Sequence, residues 1–122
     1  MRLLLDSDPR INLVRRYDAG VIEIGERQIT RPCLVTPQQL VLDWDASSIA
    51  GLSEPQLEPL WALRAAIVLL GAAEYQQPPT AAIRAAFHDR GIALECMSLG
   101  AACRTYNILA NEARSVIAGL FP

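Results

Sequence analysis

Ala65-Ala66-Ile67-Val68-Leu69-Leu70-Gly71 is an apolar run with no polar interruption. It lacks the alternation of a strand with one wet face, so Ala65–Leu70 reads as a strand buried on both faces in a sheet covered by helices. Working downstream, Thr80–Arg90 predicts a helix closed by Gly91, with Ile83, Ala86 and Phe87 on one side. Ile92–Cys96 predicts the next strand. Leu99–Arg114 predicts a long helix capped by Ser98, and Ser115–Leu120 a final strand. The order β-α-β-α-β implies a sheet with helical crossovers.

Upstream, the first third reads as strands. Asn12–Tyr17 is extended, Asp18-Ala19-Gly20 turns, and Val21–Ile24 returns. Gly25-Glu26 turns again into Arg27–Thr30, a hairpin signature. Cys33–Val35 and Leu40–Trp44 predict further strands, parted by a turn at Thr36-Pro37-Gln38-Gln39. Ser53 and Gln56 have the spacing of a helix capping box, and Pro59 is expected to limit or kink that helix within two turns. The expectation is a three-layer α/β domain with a β-hairpin element attached.

The chain has 122 residues, 52% of them hydrophobic, a net charge of −2 and a mean hydropathy of +0.21. That supplies one core and predicts one domain over residues 1–122, with residues 1–11 as an N-terminal arm. Every one of the 11 basic residues is Arg, and they are scattered, so there is no electrostatic case for a nucleic-acid partner. The absent Lys excludes a Schiff base and a Walker-type phosphate loop. One His and three Cys without C-x-x-C spacing offer no metal site, and no cofactor is expected. Three separated Cys suit reduced thiols. No apolar run approaches a membrane span, and Asp6 and Asp8 break the apolar start before a signal sequence can form. The expected location is cytoplasmic.

Few residues carry chemistry. On a helical wheel Leu99, Ala102, Cys103, Tyr106, Leu109, Ala110 and Ala113 share the core face. Cys103 has a helix N-terminus and Arg104 to favour a thiolate, but it points inward, where a free Cys is usually a small hydrophobe. Arg104, Asn107 and Asn111 form a polar stripe with Arg114 near it, suited to a carboxylate, a phosphate or a partner's backbone. The bland reading is a solvated helix face. Gly71-Ala72-Ala73-Glu74 follows the buried strand, where a backbone turn can bind an anion, although one Gly marks a tight strand exit more often. His88 reads as a surface residue, with Asp89 directed elsewhere and no Cys or Ser placed beside it. Asp43 and Asp45 flank Trp44, which reads as a core anchor rather than as part of a sugar-cleaving pair.

Several segments in order resemble a known family: Tyr17-Asp18-Ala19-Gly20-Val21-Ile22-Glu23-Ile24, then Cys33-Leu34-Val35-Thr36-Pro37, then Trp44. The strand ending at Gly71, Arg90-Gly91-Ile92 and Ala102-Cys103-Arg104-Thr105-Tyr106-Asn107 follow. The chain, from Asn12 to Pro122, resembles the small single-domain family of unknown function that includes mitochondrial complex I assembly factor three and the adipogenesis-associated Mth domain protein. The Thr105-Tyr106-Asn107 block is its most specific piece. The resemblance implies an α/β three-layer domain with a central mixed sheet of about five strands, flanking helices and an extra β layer. It also implies a link to respiratory complex assembly without known catalysis. Two departures weaken the transfer of an anion site: Ala72-Ala73 stands in place of a polar loop, and Ser98-Leu99 in place of an acidic residue before the helix. No mitochondrial presequence is visible, so an organellar location is not carried over.

Two functions are therefore expected to compete. One is a non-enzymatic binding or assembly module with a protein partner, using Arg104, Thr105, Asn107 and Asn111 or an open sheet edge. The other is a small enzyme or small-molecule or anion binder with a pocket at the strand ends near Gly71 and Ser98, using Cys103, Thr105 and Tyr106. No residue is singled out as catalytic. An edge strand in the first third could pair two copies, so monomer and homodimer both stay open.

Overall fold

In a computed structural model that describes residues 1–3 and 9–122, the apolar run becomes β6 (Ile67–Ala72). The rest of the expected unit follows as α2 (Ala81–Asp89), β7 (Ala93–Ser98), α3 (Leu99–Asn111) and β8 (Val116–Phe121). Before it come β1 (Val14–Asp18), β2 (Val21–Ile24), β3 (Arg27–Ile29), β4 (Cys33–Val35), β5 (Leu40–Val41) and α1 (Glu54–Leu63). Leu4 and Leu5, part of the expected arm, lie outside the described residues.

β6 sits between two parallel neighbours in a five-stranded mixed sheet of order β5-β4-β8-β6-β7. Leu69 lies opposite Glu95 of β7 and Ala118 of β8, while β8 meets β4 antiparallel with Gly119 opposite Leu34. Both faces of this sheet are covered, which explains the unbroken apolar run. Val68, Leu70 and Ile117 join Leu57 and Leu60 of α1, Ile83 and Phe87 of α2, and Trp44 in one core. Leu69, Ala118 and Leu120 join Ala102, Cys103 and Tyr106 of α3 in the other. That second core also takes Ile22, Ile24 and Ile29 from the antiparallel sheet β1-β2-β3. The expected α/β architecture of a mixed five-stranded sheet, helices and an extra β layer is thus present.

Three local expectations are corrected. β5 stops at Val41 rather than running to Trp44, because Asp43 adopts φ 54° and breaks the extended backbone. Trp44 turns inward, where its Nε1 donates to the Gln56 carbonyl at 2.9 Å. Second, α1 passes through Pro59 and ends one turn later at Leu63; the missing N–H is tolerated in a helix held down by buried Leu57 and Leu60. The Ser53–Gln56 pairing does open this helix: the Ser53 N–H donates to Gln56 Oε1 at 2.9 Å.

Third, α3 ends at Asn111, not Arg114. Ala113 takes φ 59°, its N–H donates to the Ala110 carbonyl at 3.1 Å, and the Arg114 N–H reaches the Leu109 carbonyl at 2.9 Å. This closure ordinarily uses Gly at its left-handed residue. With Ala there, the sequence carries no stop signal.

The helix that ends this way also packs unusually close. A β-carbon on Gly71 would lie 2.3 Å from the Ala102 Cβ, well inside contact distance. Two stability measurements follow. In urea melts, Gly71→Ala should cost about 1–3 kcal/mol, because α3 must lift off β6 to admit a methyl group. Ala113→Gly should instead gain about 1 kcal/mol by relieving the left-handed strain of an L-residue.

Candidate functional site

The first turns of α3 carry three of the candidate residues, Ser98 at the cap, Arg104 and Thr105. Ser98 caps the helix, its Oγ accepting from the Ala101 N–H at 3.3 Å. Two residues on, Gly100 leaves room for Tyr17: a β-carbon there would sit 2.4 Å from the Tyr17 hydroxyl. One turn later Arg104 is exposed, and its Nη1 donates to the Tyr17 Oη at 3.0 Å. The Tyr17 hydroxyl in turn donates to the Met1 Sδ at 3.4 Å, and Met1 is exposed. Arg104 and Tyr17, with Met1 beside them, form a surface that combines a guanidinium, a phenol and a thioether. Sequence reasoning missed Tyr17 as the partner of Arg104. Its only signal is an aromatic at the end of the first strand, just before the Asp18-Ala19-Gly20 turn.

The rest of the polar stripe does not stay on this surface. Asn107 is buried and faces β1. Its Oδ1 accepts from the Val14 N–H at 2.9 Å and its Nδ2 donates to the Val14 carbonyl at 2.8 Å. The neighbouring Tyr106 hydroxyl donates to the Asn12 carbonyl at 2.7 Å. The Thr105-Tyr106-Asn107 block therefore fastens α3 to the backbone that enters the small sheet. β1 needs this fastening where its register with β2 is irregular, between Val14 and Arg16. Thr105 is half-buried. Asn111 is exposed at the far end of α3, in a different cleft.

Gly71 lies within β6 under α3 rather than in an open turn. The cleft beyond it has a volume of about 510 Å³ and lies at the carboxyl ends of β6 and β8, between Ala72–Gln77, Phe121–Pro122 and the Ser47–Ala50 loop. Ser98 does not line it, and Glu74 is the one charged residue that does. A second cleft, of about 610 Å³, lies at the opposite end of the sheet among Thr36–Gln39, Asn111 and Arg114. His88 is exposed on α2, with Nδ1 3.8 Å from Asp89 Oδ1, so these two side chains approach each other more closely than the wheel implied. Among the described residues no group of three or more His, Cys, Asp or Glu is placed to hold a metal ion.

The thiols are sealed to different depths. Cys33 and Cys103 are fully buried, and Cys96 is half-buried. Burial pushes the Cys33 thiol up to about 12. Burial also pushes Cys103 up to about 12, with a further rise from nearby Cys33 and a smaller lowering from Arg104. Arg104 thus sits near Cys103 without making it a thiolate. Burial likewise raises the Tyr106 hydroxyl.

Two further outcomes are expected. Asn107→Ala leaves a buried N–H and a buried carbonyl of Val14 unpaired, and should cost about 2–4 kcal/mol in a denaturant melt. The thiols also couple stability to pH. Cys33 and Cys103 ionise near 9.0 in an unfolded chain and near 12 when folded. Between those values the folded form keeps protons that the unfolded form has lost. Their stabilisation is complete below pH 9 and falls above it by about 1.4 kcal/mol per pH unit for each thiol. Urea melts at pH 8 and pH 10 should therefore show a smaller loss for Cys103→Ala than for the parent chain.

Comparison with known proteins agrees with this architecture. The rat protein named NADH dehydrogenase [ubiquinone] 1 alpha subcomplex assembly factor 3 is 29% identical over 122 residues, 98% of this chain and 65% of its own length. The human protein of the same name is 29% identical over 108 residues, 87% of this chain and 58% of its own length. The chain thus spans less than two thirds of these relatives. Among solved structures, a Xanthomonas campestris protein determined by NMR superposes with a TM-score of 0.83 at 32% identity, covering 98% of this chain and 92% of that one. A Bordetella parapertussis crystal structure gives 0.84 at 26% identity, covering 95% and 99%. A Bordetella pertussis protein described as a Mth938-like domain shares the fold, with a TM-score of 0.71 at 23% identity over 100% of this chain and 92% of its own. A family model for a protein of unknown function (DUF498/DUF598) matches residues 14–121, and the chain belongs to that family.

Proposed function

We propose that residues 1–122 act as one domain, with residues 1–11 as its arm, and that this domain is a non-enzymatic binding module for the assembly of a respiratory-type complex in the cytoplasm. The observation that carries this reading is the alignment of 98% of the chain with a protein named as a complex I assembly factor. The chemistry supports it. Cys103, the best-placed nucleophile of the sequence, is fully buried and held protonated. Arg104 presents five donors on an exposed surface, spends one on Tyr17, and has no carboxylate partner among the described residues. A partner's carboxylate or main-chain carbonyl suits that surface, and a net charge of −2 gives no pull toward nucleic acid.

A second reading, a small-molecule binder, draws on the cleft of about 510 Å³ at the carboxyl ends of β6 and β8, the usual ligand position of an open α/β sheet. With Glu74 as its one charged lining residue, this cleft suits a neutral or cationic molecule rather than an anion.

Affinity purification of the tagged chain from its own cells, with quantitative mass spectrometry, separates the two. The assembly reading expects NADH dehydrogenase subunits to be enriched over a tagged control. Arg104→Ala should reduce that enrichment about tenfold, as removal of a central interface arginine does. Absence of those subunits from the parent chain's eluate would sink the reading.

A further inference from the structure

The central sheet ends on an open edge. β7 runs for six residues, Ala93–Ser98, and pairs in continuous parallel register with β6; no described residue pairs with its other side. The remaining edges are short or covered. β5 has two residues and β3 has three. β1 is met by the arm: the Leu3 N–H donates to the Arg15 carbonyl and the Tyr17 N–H to the Met1 carbonyl, both at 2.9 Å. Of the first-third edges considered for pairing two copies, β1 is therefore covered, and β3 and β5 are short. β7 has no Lys, no Pro and no bulge to blunt it, and its one charged residue is Glu95. A free row of N–H and C=O groups specifies the backbone of its occupant, which is another extended strand.

Charge specifies the side chains. Successive residues of β7 face opposite sides of the sheet. Leu94 and Cys96 lie on the side covered by α2, beside Ile83 and Phe87. Glu95 lies on the other side, exposed, next in the chain to Cys96. Arg84 is exposed on α2, next in the chain to Ile83, whose side chain belongs to the same core as Leu94 and Cys96. Neither Glu95 nor Arg84 makes an ion pair among the described residues. The open edge thus carries an anion on one face, while the helix over the other face carries an exposed cation.

A second copy answers this pattern badly. Two β7 strands paired antiparallel about a twofold axis bring like faces together. In the registers centred within one residue of Glu95, Glu95 then lies opposite or diagonal to its own counterpart. Like charges directly opposite on a sheet destabilise it.

We propose that the outer edge of β7 docks an extended segment of another protein as a sixth strand, with a basic residue beside Glu95. The proposal rests on the protein-partner reading above and can fail without it.

The test is an NMR titration of the 15N-labelled chain with two capped peptides, Ac-Thr-Val-Lys-Glu-Thr-Val-amide and Ac-Thr-Val-Glu-Glu-Thr-Val-amide. The amides of Ala93–Ser98 should shift, and the Lys-Glu peptide should bind about fivefold more tightly. The surface variant Glu95→Lys should reverse that order. Silence of the Ala93–Ser98 amides at millimolar peptide would overturn the proposal, as would an order that Glu95→Lys leaves unchanged. So would a dimer of the chain alone that protects those amides from exchange. Enrichment of NADH dehydrogenase subunits by a chain whose β7 amides do not respond would keep the assembly reading and remove this one.

Discussion

Because Gly71 has no side chain, α3 comes down on β6 until Ala102 fills the space that a β-carbon would occupy. Much of the molecule depends on that close approach. It places Cys103 and Tyr106 in the core between α3 and the two sheets. It also brings Asn107 within reach of Val14, so that one side-chain amide satisfies both backbone groups of a residue in the other sheet. The small sheet is thereby tied by polar bonds to α3, and through it to the large sheet, as well as by Ile22, Ile24 and Ile29 in the shared core. A helix held further out would leave a buried N–H and a buried carbonyl of β1 without partners.

The same geometry divides the polar residues of α3 by task. Successive turns point Arg104 to solvent and Asn107 to the interior, although the two lie only three residues apart. Arg104 is held by Tyr17, whose hydroxyl rests over Gly100. Glycine thus has a packing role twice in this unit, at Gly71 for helix on sheet and at Gly100 for phenol on helix. The consequence for chemistry is that the thiol nearest an arginine is buried and held protonated, while the arginine itself stays available.

Composition takes on a different meaning once the topology is known. The lack of Lys excludes several catalytic devices, and it also leaves β7 without the residue that most often guards an exposed edge. The first third, which looked like the source of an open edge, has Met1–Leu3 laid along β1. Among the described residues the open edge belongs instead to the second half, where Glu95 stands exposed on β7.

Periodicity alone determined the element order. The run at Ala65–Leu70, the caps at Ser53 and Ser98, the helix start at Thr80 and the Gly91 stop are signals between residues close in the chain, and each appears in the structure at or within two residues of its expected place. Family resemblance at the Thr105-Tyr106-Asn107 block likewise was legible, but its purpose was not. The hydrogen bonds that explain it join residues 93 apart in the chain. The ends that sequence placed wrongly have the same origin. Ala113 and Asp43 adopt left-handed backbone angles without a Gly to announce them, because the surrounding packing outweighs the local cost. Which strand lies at the edge, which thiol is sealed and which arginine meets Tyr17 were decided by the tertiary structure. Each of these depends on how distant segments meet, and hydrophobic patterning constrains which face is buried but not which distant neighbour buries it.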